Sequence, residues 1–328
     1  MSTRWRSCRG PAFAEGSPAR TTPDTLPPMH GPTPTPKLVH LNGQIVPAGE
    51  AKVSVFDRGF VFGDGIYEGL RSFGGWVRNL DDHIARMQQG LDEAGIRWDA
   101  RRLHDLCPPL LEANEIGDAF LYWQITRGTP KPGHPVRARL AEPDIEPTVF
   151  GYCLGLPGVD DLREPTTCIA ATVPDTRWHK GHVKSISLMA NVMAAQAATD
   201  SEGEEAILIR DGRVSESCAT NIFVVVRGHD GQAELCTPPL DDVSILPGVT
   251  RKIILELFPD ARVRRITEDE LHRASEIFLT GTITTIKSAV RLDGRPVGGG
   301  TPGPVARRVL ERYTEYLRAN IAAPAGAR

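Results

Sequence analysis

The chain has no long apolar run. Even NIFVVV at 221–226 has strand length, far short of the roughly 20 residues that a membrane-spanning helix needs. A basic stripe is missing too: 38 Lys and Arg stand against 41 Asp and Glu, a formal charge of −3, so nothing tracks a phosphate backbone and nucleic acid is excluded as a partner. The cysteines Cys8, Cys107, Cys153, Cys168, Cys218 and Cys236 lie far apart without CxxC spacing. That excludes a disulfide scaffold or a zinc staple and reads as reduced core thiols of a cytoplasmic protein. Lysine is scarce, seven residues against 31 arginines, so chemistry that needs an amine nucleophile has few candidates. What remains, 328 residues with 40% apolar and 24% charged, is long enough for two domains with separate cores.

Residues 1–36 are rich in Pro, Thr, Ser, Gly and Arg and nearly devoid of aliphatic side chains, so they read as a disordered extension. No apolar region for secretion and no amphipathic period for import accompanies Arg4, Arg6, Arg9 and Arg20. From Lys37 the patterning becomes structural. Asn42-Gly43 marks a hairpin, Gly74-Gly75 separates two further apolar stretches, and Leu80, Ile84, Met87 and Leu91 fall at helical spacing, with Asp81 as expected cap and Gly95 near the end. A second helix is expected around 100–114, then strands at AFLYWQITRG and TVFGYCLGL. Strands and helices mix without a strict βαβ rhythm, so the class is α+β. The expected organisation is a small domain at 37–154, a linker at 155–165, a larger domain at 166–321 and a flexible tail at 322–328.

In the second half, EAILIRDGRVSESCATNIFVVV reads as strands folded at Asp211-Gly212. Leu188, Val192, Ala195 and Ala198 are spaced for one helical face. GVTRKIILELF is an amphipathic helix with Pro247-Gly248 just ahead of it, and GPVARRVLERYTEYLRANI closes the chain as a last helix. Among the lysines, Lys184 stands where a strand region meets the helix near Leu188, a place from which a side chain can project from a fixed backbone. A lysine alone is more often a solvated surface charge, and Lys180 lies close by.

The surrounding segments raise Lys184 above that background. FDRGFVFGDGIYEGLRSF, LDDHIARM, HVKSISLMANVMA, EEAILIRDGRVSESCATNIFVV, ILPGVTRKII and IFLTGTITTI, in that order over residues 38–318, resemble the class IV, fold-type IV pyridoxal-phosphate aminotransferases. FGDGIYE, YWQITRGT and RWHKGHVKSISLMANVMAAQ resemble most the D-amino-acid aminotransferases of that family. The resemblance implies a homodimer with a cofactor domain built on a barrel-like β core, and pyridoxal 5′-phosphate as cofactor. Lys184 would form the Schiff base and move the substrate proton. Glu216 would hold the pyridine nitrogen protonated. Arg86, Gly248, Val249, Thr250 and Thr282 would hold the phosphate, Leu246 would lie under the ring, and Asn221 would fix the loop by hydrogen bonds. For Arg86 the alternative is an exposed helix arginine paired with Asp82. Tyr67 and Glu68 fall where the family lines its substrate pocket. Asp57-Arg58-Gly59 and Gly63-Asp64-Gly65 read as tight turns whose glycines permit positive φ.

The loop TRGTPKPGHPVRAR departs from the pattern. His134 matches the family's carboxylate trap, but Pro132 occupies the arginine position and cannot donate, so Lys131, Arg137 or Arg139 would have to substitute. A relaxed carboxylate demand would admit (R)-amines as donors. Met189 and Gln124 stand where branched-chain enzymes usually carry a tyrosine and an arginine. The expected activity is transfer of an amino group from a D-amino acid, or an (R)-amine, to a 2-oxo acid such as 2-oxoglutarate by a ping-pong mechanism. The alternatives are a branched-chain L-amino-acid aminotransferase and an aminodeoxychorismate lyase.

Overall fold

A computed structural model describes residues 35–228, 231–242 and 244–322. The readings for 1–34, Cys8 included, and for 323–328 lie outside the described residues. Asn42 and Gly43 adopt positive φ, 50° and 89°, which lets two residues join β1 (Leu38–Leu41) to β2 (Gln44–Pro47) as an antiparallel hairpin. A short helix α1 (Arg58–Phe62) is capped by Asp57, whose Oδ1 accepts from Gly59 N at 2.7 Å. β3 (Gly65–Phe73) turns through Gly74 and Gly75, φ 54° and 84°, into the two-residue β4 (Trp76–Val77). Helices α2 (Leu80–Ala94) and α3 (Leu103–Ala113), then β5 (Ala119–Thr126) and β6 (Thr148–Gly155), complete this half. Its six strands form one sheet in the order β2-β1-β6-β5-β3-β4.

The two-residue period of a strand sorts this sheet into two unlike faces. Ile66 and Leu70 of β3 with Leu121, Trp123 and Ile125 of β5 face α2 and α3, where Met87, Leu91, Leu103 and Leu110 close the core. Each such side chain contributes about 1.5–3 kcal/mol on burial. The intervening Tyr67, Phe120, Tyr122, Phe150 and Tyr152 form an aromatic layer on the other face, with Tyr67 and Tyr122 stacked at 5.6 Å and Tyr122 and Tyr152 at 5.1 Å. Asp81 does not cap α2. Asn79, held at φ 48°, precedes the helix, and Asp81 sits in its first turn against His104 Nε2 at 3.0 Å. Gly95 ends α2 in the left-handed region, φ 67°, as its position in the sequence indicates.

Residues 156–165 pack Val159 and Leu162 against Tyr313 and Leu317. The second sheet then runs through β7 (Thr166–Pro174), β8 (Glu205–Arg210), β9 (Arg213–Ser217), β10 (Asn221–Arg227), β11 (Ala233–Thr237), β12 (Arg262–Val263), β13 (Glu276–Gly281), β14 (Thr285–Leu292) and β15 (Arg295–Pro296). Helices α4 (Met189–Asp200), α5 (Val249–Leu257), α6 (Glu268–His272) and α7 (Pro304–Ala322) are interspersed with them. The order is β12-β11-β10-β13-β14-β7-β8-β9, with β15 on β14. β9 passes straight into β10 through a turn in which Ser217 N donates to Thr220 O at 2.8 Å, so strands distant in the sheet order are neighbours in the chain and the sheet curls into a half-barrel. β10 is buried on both faces, with Ile222 and Val224 in the half-barrel core and Phe223 and Val225 under α5 and α7. That double burial is why its sequence is unbroken rather than alternating.

Two local expectations change. In α4 the buried residues are Ala194 and Ala198, against β7 and β8. Val192 is 61% exposed, Met189 72% and Met193 63%, because only alanine-sized side chains fit the close approach of the helix to the sheet. Of the glycines in the DRG and GDG turns, only Gly63, φ 67°, uses the left-handed region. Gly59 and Gly65 are demanded by proximity instead, since a Cβ on Gly59 would lie 2.3 Å from Thr126 Cγ2 and one on Gly65 2.9 Å from the Ile125 carbonyl oxygen. Gly63 carries both constraints: its Cβ would meet Ser187 Oγ at 2.4 Å, on the segment just beyond Lys184. Gly63→Ala is therefore expected to cost about 1–3 kcal/mol in urea unfolding and to lower kcat by displacing residues 184–187.

Candidate active site

Lys184 belongs to the segment joining β7 to α4, and this segment is fastened to the outer edge of β3. Tyr67 N donates to Lys184 O at 3.0 Å and Ile186 N to Gly65 O at 3.0 Å, with an antiparallel bridge between Ile66 and Ser185. The edge is available because β4 covers β3 only at Ser72 and Phe73. The Lys184 side chain enters a cavity of about 510 Å³, where its Nζ lies 4.3 Å from the centroid of the Tyr67 ring. Among the described residues this Nζ has no hydrogen-bond partner.

The same cavity gathers Glu216, Arg86, Leu246, Gly248, Val249, Thr250, Thr282 and Tyr67, so the structure brings all of the expected cofactor residues together. Glu216, at the end of β9, is 4% exposed. Its Oε1 accepts from Arg177 Nη1 at 2.7 Å, and its Oε2 from Asn221 Nδ2 at 3.1 Å and Leu246 N at 3.2 Å. Burial pushes the carboxyl above the usual range, and the Arg177 charge pulls it part of the way back. Asn221 also donates to Leu246 O at 2.9 Å, so it ties the loop before α5 to Glu216. A Cβ on Gly248 would stand 1.9 Å from Asn221 Oδ1, which is why glycine occupies that position.

Gly248 is the N-cap of α5, so the first free amides of the helix face the cavity beside the Thr250 hydroxyl. Thr282 reaches the same wall from the turn between β13 and β14. Arg86 arrives from α2. Its partner is not Asp82, which pairs with Lys252 Nζ at 2.6 Å, but Glu68: Nε to Oε1 at 2.7 Å and Nη2 to Oε2 at 2.7 Å, with Nη1 on Pro247 O at 2.9 Å. Glu68 therefore does not line the pocket beside Tyr67. Adjacent residues on a strand point to opposite faces, and Glu68 is fully buried on the helix side, where His83 Nδ1 also meets Oε2 at 2.9 Å. Burial alone would raise this carboxyl, but the Arg86 charge and hydrogen bonds outweigh it and hold it at about 2. Burial pushes His83 down to about 4, so the imidazole is neutral at neutral pH.

Lys131, His134 and Arg137 are not brought to this cavity. Lys131 N donates to Glu142 Oε1 at 2.7 Å, His134 Nε2 meets Glu142 at 2.8 Å, and the Arg137 guanidinium lies 5.3 Å over the Phe62 ring. Arg139 contributes its backbone carbonyl to Arg58 Nη2 at 2.9 Å. Gln124 accepts from the Tyr122 hydroxyl at 2.8 Å, and Met189 does not line the cavity. Sequence reading missed the cluster behind Glu216: Asp175 is chelated by Arg177, Nε to Oδ1 at 2.9 Å and Nη2 to Oδ2 at 3.0 Å, and meets Arg210 at 3.0 Å. The available signal was Arg210 at the end of the apolar strand EAILIR, a charge that burial obliges to find a partner.

The donor set suits a ligand that is anionic at one end and basic at the other. Amides of a helix N-terminus, two hydroxyls and an arginine line the cavity together with a buried carboxylate and the Lys184 side chain. Two more cavity hydroxyls, Thr220 Oγ1 and Thr280 Oγ1, are buried without a partner. These are the features of a pyridoxal-phosphate site. The sequence pattern of the family described as amino-transferase class IV matches residues 65–291. The chain is similar to the D-alanine aminotransferase of Bacillus licheniformis, 34% identical over 277 residues that span 83% of this chain and 94% of the relative. It is likewise similar to the D-alanine aminotransferase of Staphylococcus aureus strain MSSA476, 31% identical with 86% and 98% covered. Among solved structures, the branched-chain aminotransferase from Thermoproteus uzoniensis with norvaline superposes with a TM-score of 0.74 at 26% identity, covering 87% of this chain and 96% of that one. The branched-chain amino acid aminotransferase from Thermobaculum terrenum, in its PLP-form, shares the fold with a TM-score of 0.75 at 22% identity, covering 87% and 94%.

This chain belongs to the class IV aminotransferases, an enzyme family of fold type IV, and its cofactor is pyridoxal 5′-phosphate. Glu68 supplies a test of the Arg86 anchor. Glu68→Gln leaves a buried guanidinium half-paired and is expected to cost about 3–5 kcal/mol. Because the folded carboxyl lies near 2, below the unfolded value of about 4.3, its contribution is fully present above about pH 4.3 and lost as pH falls toward 2. The stability gap between wild type and variant in urea unfolding should shrink over that window.

Proposed function

We propose that the chain is a homodimeric D-amino-acid transaminase that moves an amino group to a 2-oxo acid such as 2-oxoglutarate by a ping-pong mechanism. The observation that carries this is the 31–34% identity to proteins named D-alanine aminotransferase over nearly their whole length. The lack of the branched-chain markers at Gln124 and Met189 is in accord with it.

When bound, the cofactor supplies an aldehyde that exchanges for an amino group and a ring that accepts the electron pair released at the donor Cα. Arg86, the amides of Gly248, Val249 and Thr250, and the Thr250 and Thr282 hydroxyls would hold its phosphate. Leu246 would contact the ring and Glu216 would hold a proton on the pyridine nitrogen, with Arg177 and Asn221 fixing the carboxylate in place. Lys184 Nζ takes the proton from the donor Cα as general base. The Tyr67 hydroxyl meets the substrate side. The cleft is formed by the small domain, 37–154, and the larger one, 166–321, joined at 155–165.

A dimer accounts for two features of the single chain. Phe60, 78% exposed, and Met189, Val192 and Met193 of α4 leave an apolar surface uncovered, which a second copy would bury. Lys131, His134 and Arg137 stand away from the cavity of their own chain and would serve the neighbouring one. With Pro132 in place of an arginine, that loop holds a carboxylate weakly, which extends the donor range to (R)-amines. Five free cysteines without a disulfide among the described residues accord with a cytoplasmic enzyme. The structural likeness to branched-chain aminotransferases supports a second reading, an L-branched-chain donor.

A donor screen with 2-oxoglutarate and D-alanine, L-alanine, L-leucine or (R)-1-phenylethylamine decides between them. D-alanine should give pyruvate and D-glutamate with kcat/KM at least about tenfold above L-leucine; the reverse order establishes the branched-chain reading. Lys184→Ala should lower kcat by about 10²–10⁴-fold, and borohydride should no longer fix the cofactor to the chain.

A further inference from the structure

Behind the α5 end of the cavity lies an arginine that none of the motifs above explains. Arg78 directly follows β4, is 1% exposed, and does not line the cavity. Its Nη1 donates to Thr250 Oγ1 at 3.0 Å and to the Tyr313 hydroxyl, and its Nη2 reaches Thr282 Oγ1 at 3.4 Å. Its Nε is buried with no partner, and no carboxylate forms an ion pair with it among the described residues. Arg86 and Arg177, the arginines that line the cavity, each have a carboxylate.

Two physical consequences follow. A guanidinium does not give up its charge inside a protein, so Arg78 is a cation held out of water whose side-chain hydrogen bonds go to hydroxyls alone, with the Arg71 guanidinium near enough to repel it, an arrangement that is costly unless an anion lies close. In addition, a threonine oxygen that accepts from a guanidinium must point its own hydrogen elsewhere. Thr250 and Thr282 both face the cavity, so the free direction of each hydroxyl is toward whatever acceptor sits there.

We propose that Arg78 is a positioning residue for the cofactor phosphate, orienting the Thr250 and Thr282 hydroxyls as donors and supplying a buried positive charge that the phosphate dianion neutralises. This rests on the placement of the phosphate at the start of α5. Tyr313 of α7 holds the guanidinium from behind and couples the last helix to the phosphate site. The same arginine as mere packing between β4 and α7 would influence cofactor binding without regard to the phosphate.

The test compares affinity for pyridoxal 5′-phosphate with affinity for pyridoxal, by absorbance titration of the full-length protein stripped of cofactor. In Arg78→Met the phosphorylated form should lose about 10–100-fold in Kd, the worth of hydrogen bonds to a charged group, while pyridoxal changes little. The ratio of the two constants therefore collapses, and an unchanged ratio overturns the proposal. If Arg78→Met does not fold, Arg78→Lys carries the same comparison: it keeps the charge but cannot bridge two threonines, so the ratio should fall by about three- to tenfold, and an unchanged ratio again overturns it. A Thr250→Val/Thr282→Val double variant separates the two levels. If it loses phosphate preference while the Arg78 variants do not, only the role of Arg78 fails; if it too keeps the preference, the phosphate lies elsewhere and the underlying placement fails.

Discussion

The cavity depends on a short stretch of backbone pairing between the start of β3 and the segment that carries Lys184. Two hydrogen bonds and an isolated bridge at Ile66 and Ser185 pin that segment to the edge of the first sheet, although the chain around it belongs to the second. A lysine on a free loop samples many positions. Held in a ladder, its Cα is fixed relative to Tyr67 on the one side and to α4 on the other, and only the side chain remains mobile. Gly63 and Gly65 matter for the same reason, since any side chain there would push Ser187 or Ile186 off the strand edge.

Around this anchor the charges are arranged by element rather than by neighbourhood in sequence. β3 delivers Glu68 to the helix side, where it fixes Arg86 of α2, and Tyr67 to the cavity. β9 delivers Glu216, which Arg177 and the Asp175 cluster restrain. The start of α5 and the turn after β13 bring free amides and hydroxyls. The cavity thus combines an electropositive, donor-rich wall with a buried carboxylate, the two kinds of partner that a cofactor with a phosphate and a ring nitrogen requires. Most of these buried charges are paired, which keeps the cost of burying them tolerable.

Much of this was legible in the chain itself. The turns at Asn42-Gly43, Gly74-Gly75 and Asp211-Gly212, the helices from Leu80, Val249 and Pro304, and the unbroken β10 follow from φ preferences and apolar period, which are local properties. The ordered motifs carried Lys184, Glu216, Arg86 and the residues before α5 as one group. The side of α4 that is buried was misread, because period alone does not weigh side-chain size against the closeness of the sheet. Asp81 was misread as a cap because Asn79, in the left-handed region, starts the helix two residues sooner.

What the sequence by itself determined is which segments form strands and helices and which residue types the chemistry would use, since both depend on neighbours a few positions away. Only the tertiary structure decided that Glu68 serves Arg86 rather than the pocket, that Arg177 and Asp175 brace Glu216, and that the loop of Lys131, His134 and Arg137 stands apart from its own cavity. These are contacts between residues far apart in the chain or on opposite faces of one strand, and no pattern along the chain records which surfaces will meet when the sheets close.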